Sequence, residues 1–173
     1  EMPFYFNGAG YVNKHRDALF LYEESSEKLT RVTKEAFSTG SAHLSPDGKQ
    51  VLFTGQSYTV KRKNKSGVYV YDRETGRTTE LLKPRAYDLY DALWWGEKIL
   101  LLATDGKRYG LNENAQFYTL DPTSGEVALL APYEDALGSS VGSDCRLGGG
   151  REWVQEGDKL YFVTTLGGAS QVY

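Results

Sequence analysis

The chain has 173 residues and a mass of 19.3 kDa, with 20 Lys and Arg against 23 Asp and Glu, a formal net charge of -3 and 40% hydrophobic residues. That is one ordinary domain or a piece of a larger one, long enough to bury a core without disulfides, and its single cysteine permits no internal disulfide. The slightly acidic balance argues against nucleic acid or an anionic membrane as the main partner, since both reward a positive excess, and no apolar run exceeds five residues (Ile99–Ala103 is one) where a membrane-spanning helix needs roughly 20. The predicted elements, taken along the chain, are short strands. With 13 Tyr and 19 Gly, aromatic and β-branched segments alternate with glycine-rich turns. LFLYEESSEKLTRVT at 19–33 reads as a hairpin, and it aligns with VYVYDRETGRTTELL at 68–82 and FYTLDPTSGEVALLA at 117–131, each 49 residues further on. Each copy is a strand ending in an acid (Glu23, Asp72, Asp121), a polar turn and a second strand; Gly76 and Gly125 stand where the turn needs a positive φ.

A second hairpin alternates with the first. SPDGKQVLF (45–53), WWGEKILL (94–101) and QEGDKLYF (155–162) each carry a turn glycine (Gly48, Gly96, Gly157), a lysine close behind it and an apolar strand. In the first copy Pro46 presets φ, and Asp47-Gly48 tolerates the left-handed conformation. No segment has sustained 3.6-residue periodicity with caps, so almost no helix is expected. The fold expected is all-β: a partial β-propeller of four-stranded antiparallel blades, with about three blades' worth of strands. The end of one blade is expected at about 4–33, full blades at 36–83 and 86–132, and the start of a last blade at 140–173, with its third strand beginning at Gln171. Three blades' worth of strands do not close a ring. The chain is therefore read as a fragment whose unpaired end hairpins lead it to self-associate.

The string AHLSPDGKQVLFTG at 42–55 resembles the blades of Tol-type propellers and of the amino-terminal propeller of prolyl oligopeptidase-family serine peptidases. FYFNGAGYVNKHRDALFLY at 4–22 narrows the resemblance to acylaminoacyl-peptidase and dipeptidyl-peptidase-like members, through Asn7, Gly8, Gly10, Tyr11, Arg16 and the Leu29-Thr30 ending. SDCRLGGGREW at 143–153 is similar to a linker-plus-strand string in bacterial members. The family pattern often has Asp where this chain has Asn7. The resemblance implies an enzyme that hydrolyses short or N-terminally modified peptides with a Ser-His-Asp triad in a carboxy-terminal α/β-hydrolase domain, which these residues lack. The propeller would gate access of the peptide substrate to that domain, its partner within the full-length enzyme. The alternative is a Tol-type protein-binding scaffold without activity. No catalytic, cofactor-binding or metal residue is assigned to this chain, and neither nucleic acid nor membrane is expected as a partner. The first 20 residues show no secretion signal, which makes the cytoplasm the default compartment.

Several motifs invite sharper readings. Gly138-Ser139-Ser140-Val141-Gly142 fits a nucleophile elbow, but no helix would tolerate the SDCRLGGG that follows, and His15 and His43 both lie upstream. His15, His43 and Cys145 are too scattered for zinc. Arg146 would favour a Cys145 thiolate, yet a packed cysteine is the commoner case. His43 is placed on an inner strand, packed or facing a channel. Lys61-Arg62-Lys63-Asn64-Lys65 reads as a mobile hairpin tip, and Glu23-Glu24 and Glu134-Asp135 as solvated loop charges, because adjacent strand residues point to opposite faces. Gly148-Gly149-Gly150 lacks the Lys-Ser/Thr of a phosphate loop. Tyr87, Tyr90, Trp94 and Trp95 are read as packing between blades rather than as a stacking platform.

Overall fold

Turn chemistry decides the architecture. In the computed structural model, which describes residues 16–59, 62–139 and 152–173, the glycines Gly48, Gly76, Gly96, Gly125 and Gly157 all have φ between 56° and 74°. Each closes a hairpin between adjacent antiparallel strands. Asp72 and Asp121 fasten two of the turns by accepting the N–H groups of Thr75 at 2.7 Å and Thr123 at 2.8 Å. In the first hairpin the position of Gly76 and Gly125 is taken by Glu27, the one non-glycine residue with positive φ (51°) among those described.

Among the described residues thirteen strands form four sheets. Sheet I pairs β1 (Phe20–Glu23) with β2 (Lys28–Arg31). Sheet II runs in chain order through β3 (Phe37–Leu44), β4 (Gln50–Ser57), β5 (Gly67–Asp72) and β6 (Thr78–Leu82), and sheet III through β7 (Asp88–Trp95), β8 (Lys98–Thr104), β9 (Gln116–Leu120) and β10 (Val127–Ala131). Sheet IV holds β11 (Trp153–Glu156), β12 (Lys159–Leu166) and β13 (Ala169–Val172). All pairings are antiparallel, and the only helical pieces among the described residues are single 3-10 turns at Glu24–Ser26 and Gly110–Asn112. The third strand of sheet IV begins at Ala169, ahead of the Gln171 expected from sequence, because Gly167-Gly168 makes the turn with φ of 55° and 81°.

The core lies between sheets, in two layers. Leu52, Val68 and Val70 of sheet II meet Leu89, Ala92, Ile99, Leu101, Ala103 and Leu120 of sheet III. The opposite face of sheet III carries Leu100, Leu102 and Phe117, which pack against Trp153, Leu160 and Phe162 of sheet IV. Strand β8 is therefore covered on both faces, and Ile99 through Thr104 are all buried. This is why its sequence is an unbroken apolar run instead of an alternation. Each such Leu or Ile contributes roughly 1.5–3 kcal/mol through apolar area removed from water. Tyr87 and Trp94 join the first layer and Trp95 the second, as the packing reading requires, while Tyr90 is 55% exposed and joins neither.

Candidate functional site

Two inner strands share a defect that shapes the site. In β3 the pairing slips between Thr39 and Ala42, so that Gly40 and Ser41 together oppose Thr54; in β7 it slips between Leu89 and Asp91, with Tyr90 as the extra residue. A β-bulge of this kind re-aims the side chain beside it. Ser41 settles against its own sheet through its N–H and hydroxyl, 3.0 and 3.2 Å from Thr54 Oγ1. On the neighbouring strand Asp91 turns toward β3.

Asp91 is the centre of the arrangement. Its Oδ1 lies 2.8 Å from His43 Nε2, a bond between sheets, and accepts the Ala92 N–H at 2.8 Å. The Asp91 side chain is 20% exposed and that of His43 36%. Burial by itself would raise the Asp91 pKa. Hydrogen bonds from His43 and Ser41, the His43 charge and the Ala92 N–H outweigh it, and the carboxyl is held below its ordinary value. Nearby, burial raises Asp88 against the opposing charges of Lys65 and Arg62.

His43 and Asp91 line an open cavity of about 420 Å³ together with Leu93, Glu152, Trp153, Val154 and Gln155. Its wall is drawn from β3, β7 and β11, the first strand of three successive sheets, with Glu152 just before β11. The inner strands therefore stand side by side around a common hollow. Ser41 and His43 both bond the same carboxylate, whereas a nucleophile relay needs the serine on the imidazole and the imidazole on the acid. Among the described residues no three His, Cys, Asp or Glu side chains converge as a metal would require.

No family model matches the chain, and no curated protein matches it. Solved structures do. TolB from Acinetobacter baumannii superposes with a TM-score of 0.58 at 19% identity, over 91% of this chain and 34% of its own. The sheets are blades of a partial β-propeller. An oligogalacturonate lyase in complex with manganese gives a TM-score of 0.59 at 17% identity, over 88% of this chain and 39% of that one. A puromycin hydrolase S511A mutant complexed with PGG gives 0.58 at 18% identity, over 86% and 22%. The chain thus spans about a third of the length of the first two and less of the third. At these identities the likeness shows the fold, and the hollow bounded by β3, β7 and β11 is the propeller's central channel.

The remaining sequence candidates fall into place around this frame. His43 both bridges two blades and faces the channel. Of the charged run, the described Lys63 is held at its backbone by Gln56, through Nε2 to O at 2.5 Å and N to Oε1 at 3.1 Å, and Lys65 Nζ donates to Asp105 O at 2.8 Å. Glu134 is ion-paired with Arg108, while Asp135, Glu23 and Glu24 are exposed. Ser139 meets Ser170 at 2.5 Å, and the residue before Gly138 makes an isolated bridge to Thr164 where an elbow needs a strand. Asn7, Gly8, Gly10, Tyr11, His15, Lys61, the stretch 140–142, Cys145, Arg146 and Gly148 to Gly150 lie outside the described residues. Among those described, no helix is long and apolar enough to cross a membrane.

Asp91 escaped the sequence reading. The signal was present in the inner strands: Ser41-Ala42-His43 and Asp91-Ala92-Leu93 align fifty positions apart. The hairpin repeats run at 49, and the bulge hides the correspondence.

Proposed function

We propose that this chain is the non-catalytic propeller of a serine peptidase acting on short or N-terminally modified peptides, with the Ser-His-Asp site in an α/β-hydrolase domain outside these 173 residues. The observation that carries the reading is the channel wall itself. His43 and Asp91 bond each other across two blades, and the described lining holds no nucleophile bonded to a base. Such a wall admits or refuses a chain by size and polarity and contributes positioning without proton transfer. The likeness in fold to puromycin hydrolase supports the reading, as does the Asn7–Tyr11 and Ser45–Lys49 resemblance.

The likeness to TolB over 91% of the chain favours a second reading, a protein-binding scaffold without a hydrolase partner. The discriminating experiment uses the product of the whole reading frame, probed with a fluorophosphonate and with alanyl and N-acetylated chromogenic peptides. Serine labelling together with turnover, both absent from the 173-residue chain, is the expected result. A full-length product that neither labels nor turns over substrate sinks the peptidase reading in favour of the scaffold. Turnover by the 173-residue chain alone sinks both.

A further inference from the structure

The connection from β8 to β9, residues 105–115, is organised by one carboxylate. Glu113 Oε1 accepts the Thr104 hydroxyl at 2.7 Å and the Gly106 N–H at 3.1 Å, while Oε2 accepts the N–H groups of Arg108 at 2.7 Å and Tyr109 at 2.9 Å. Backbone N–H groups that curl round an anion form a nest, and here the anion is the loop's own. The Thr104 hydroxyl and the backbone donors hold the Glu113 carboxyl at about 2, well below the ordinary 4.5.

The loop so held reaches both neighbouring sheets. Toward sheet II, Asp105 O accepts a hydrogen bond from the Lys65 ammonium at 2.8 Å, and Gly106 leaves that ammonium room, since a Cβ there would stand 3.4 Å from Nζ. Lys65 lies just before β5, and Gln56 of β4 holds the nearby Lys63 backbone, so this end of the loop is tied into sheet II. Toward sheet IV, Arg108 pairs with Glu134, and Asn114 Nδ2 donates to the Glu134 carbonyl at 2.9 Å. The adjoining Tyr133 is fastened to sheet IV: its ring centroid is 5.0 Å from that of Phe162, and its hydroxyl donates to Oγ1 of the fully buried Thr164 on β12. A single side chain therefore shapes a strap that crosses the rim of sheet III, with one end on sheet II and the other on sheet IV.

The strap bears on the channel. Strand β11 of sheet IV supplies Trp153, Val154 and Gln155 to its wall, and β7 of sheet III supplies Asp91 and Leu93. Sheets III and IV also meet through the apolar layer of Leu100, Leu102 and Phe117 against Trp153, Leu160 and Phe162. Apolar burial is non-directional, and packed layers slide by small shears. Exposed polar contacts are individually weak. Anchored together on one carboxylate, they supply the direction that the apolar layer lacks. We propose that Glu113 is the keystone of this strap, and that the strap sets the separation of β7 and β11, and so the width of the channel there, by fixing how sheet IV is seated on sheet III. The inference does not depend on the peptidase reading, because either reading contains the channel.

The test uses the product of the whole reading frame, with Cys145 and any further cysteine replaced by serine. Nitroxide labels are placed on Glu97→Cys and Asp158→Cys, exposed residues in the β7–β8 and β11–β12 turns. Electron double resonance then reads the distance between sheets III and IV. The parent is expected to give one narrow distribution. Glu113→Gln, which turns one of the two acceptor oxygens into a donor facing other donors, is expected to widen it. Hydrogen exchange on the same variant is expected to be about tenfold faster at 105–114 and at 159–166, with 50–57 unchanged as the control for folding. Glu134→Lys cuts the far end of the strap and leaves the nest intact; it is expected to widen the distribution without faster exchange at Arg108 and Tyr109, and it carries the test if Glu113→Gln does not fold. A distribution unchanged by Glu113→Gln overturns the proposal. So does faster exchange confined to 105–114, or a widening that Glu134→Lys does not share.

Discussion

Strands β8 and β13 are built from the same repeat and live in different worlds. The first is sandwiched, with Ile99 to Thr104 buried on both faces; the second, Ala169–Val172, is exposed at every residue. The difference arises from neighbours and not from intrinsic strand preference, since Val172 holds the register position at which Phe117 is 4% exposed. In a propeller, stability is a sum over blade-to-blade contacts, and a blade with one neighbour has about half of what a blade with two has. Local opening is accordingly expected to begin in sheets I and IV and to reach sheets II and III last.

Cutting into the sandwiched layer is the strongest way to test that contrast. Leu101→Ala removes a fully buried side chain between sheets II and III and is expected to cost about 2–5 kcal/mol, measured by urea unfolding. The matched change on the open face of sheet IV, Tyr161→Ala in the same 173-residue chain, should cost under about 0.5 kcal/mol. Equal losses at the two sites would erase the distinction between covered and uncovered blades.

An intermediate effect is expected where two covered blades are bonded at the channel. Asp91→Asn keeps the shape and removes the charge that His43 and Ser41 bond, with an expected loss of about 1.5–3 kcal/mol near neutral pH, the scale of a charged hydrogen bond. The sign with pH follows from the depressed carboxyl. Its contribution is complete above the ordinary value of 3.8 and disappears as pH falls through the lower folded value. Thermal melts should therefore show wild type and variant converging in acid. A gap between them that stays constant down to pH 2 would mean that the charge plays no part.

The smallest expected effect has the opposite sign. Glu27→Gly relieves the left-handed backbone at φ 51° in the hairpin of sheet I, where sheets II and III have glycine, and should stabilise that hairpin by about 0.5–1 kcal/mol. Hydrogen exchange at Phe20–Glu23 is the readout, because a two-stranded hairpin with exposed side chains adds little to a global melt. Unchanged or faster exchange would show that the turn is not what limits sheet I.

The architecture was legible in the sequence because hairpins are local. Asp47-Gly48, Asp72 through Gly76 and Asp121 through Gly125 announce their turns within a few residues, and the alternating apolar strands between them identify antiparallel blades. The site was far less legible. His43 and Asp91 meet only because two bulges place them across a gap between sheets, and a bulge is a property of pairing that no single strand displays. Tyr90 was misjudged for the same reason: as the extra residue of its bulge it is pushed into solvent, although an aromatic residue in an inner strand otherwise reads as a packer. The anchoring of Lys63 by Gln56 was likewise hidden, since a buried amide facing a basic loop leaves no pattern in composition.

The bulges and turns have one more consequence. From Ala42 to Ala92 the chain advances fifty positions, from Leu52 to Leu100 forty-eight, and from Val70 to Thr119 forty-nine, yet all three pairs occupy matching places in their blades. The period drifts, and the ladders stay in step because loops absorb the surplus and the deficit. An engineer wishing to lengthen this protein, by a tag, an epitope or a cross-linking site, should therefore cut between Trp95 and Lys98. There the repeats have already gained or lost residues without disturbing the strands on either side.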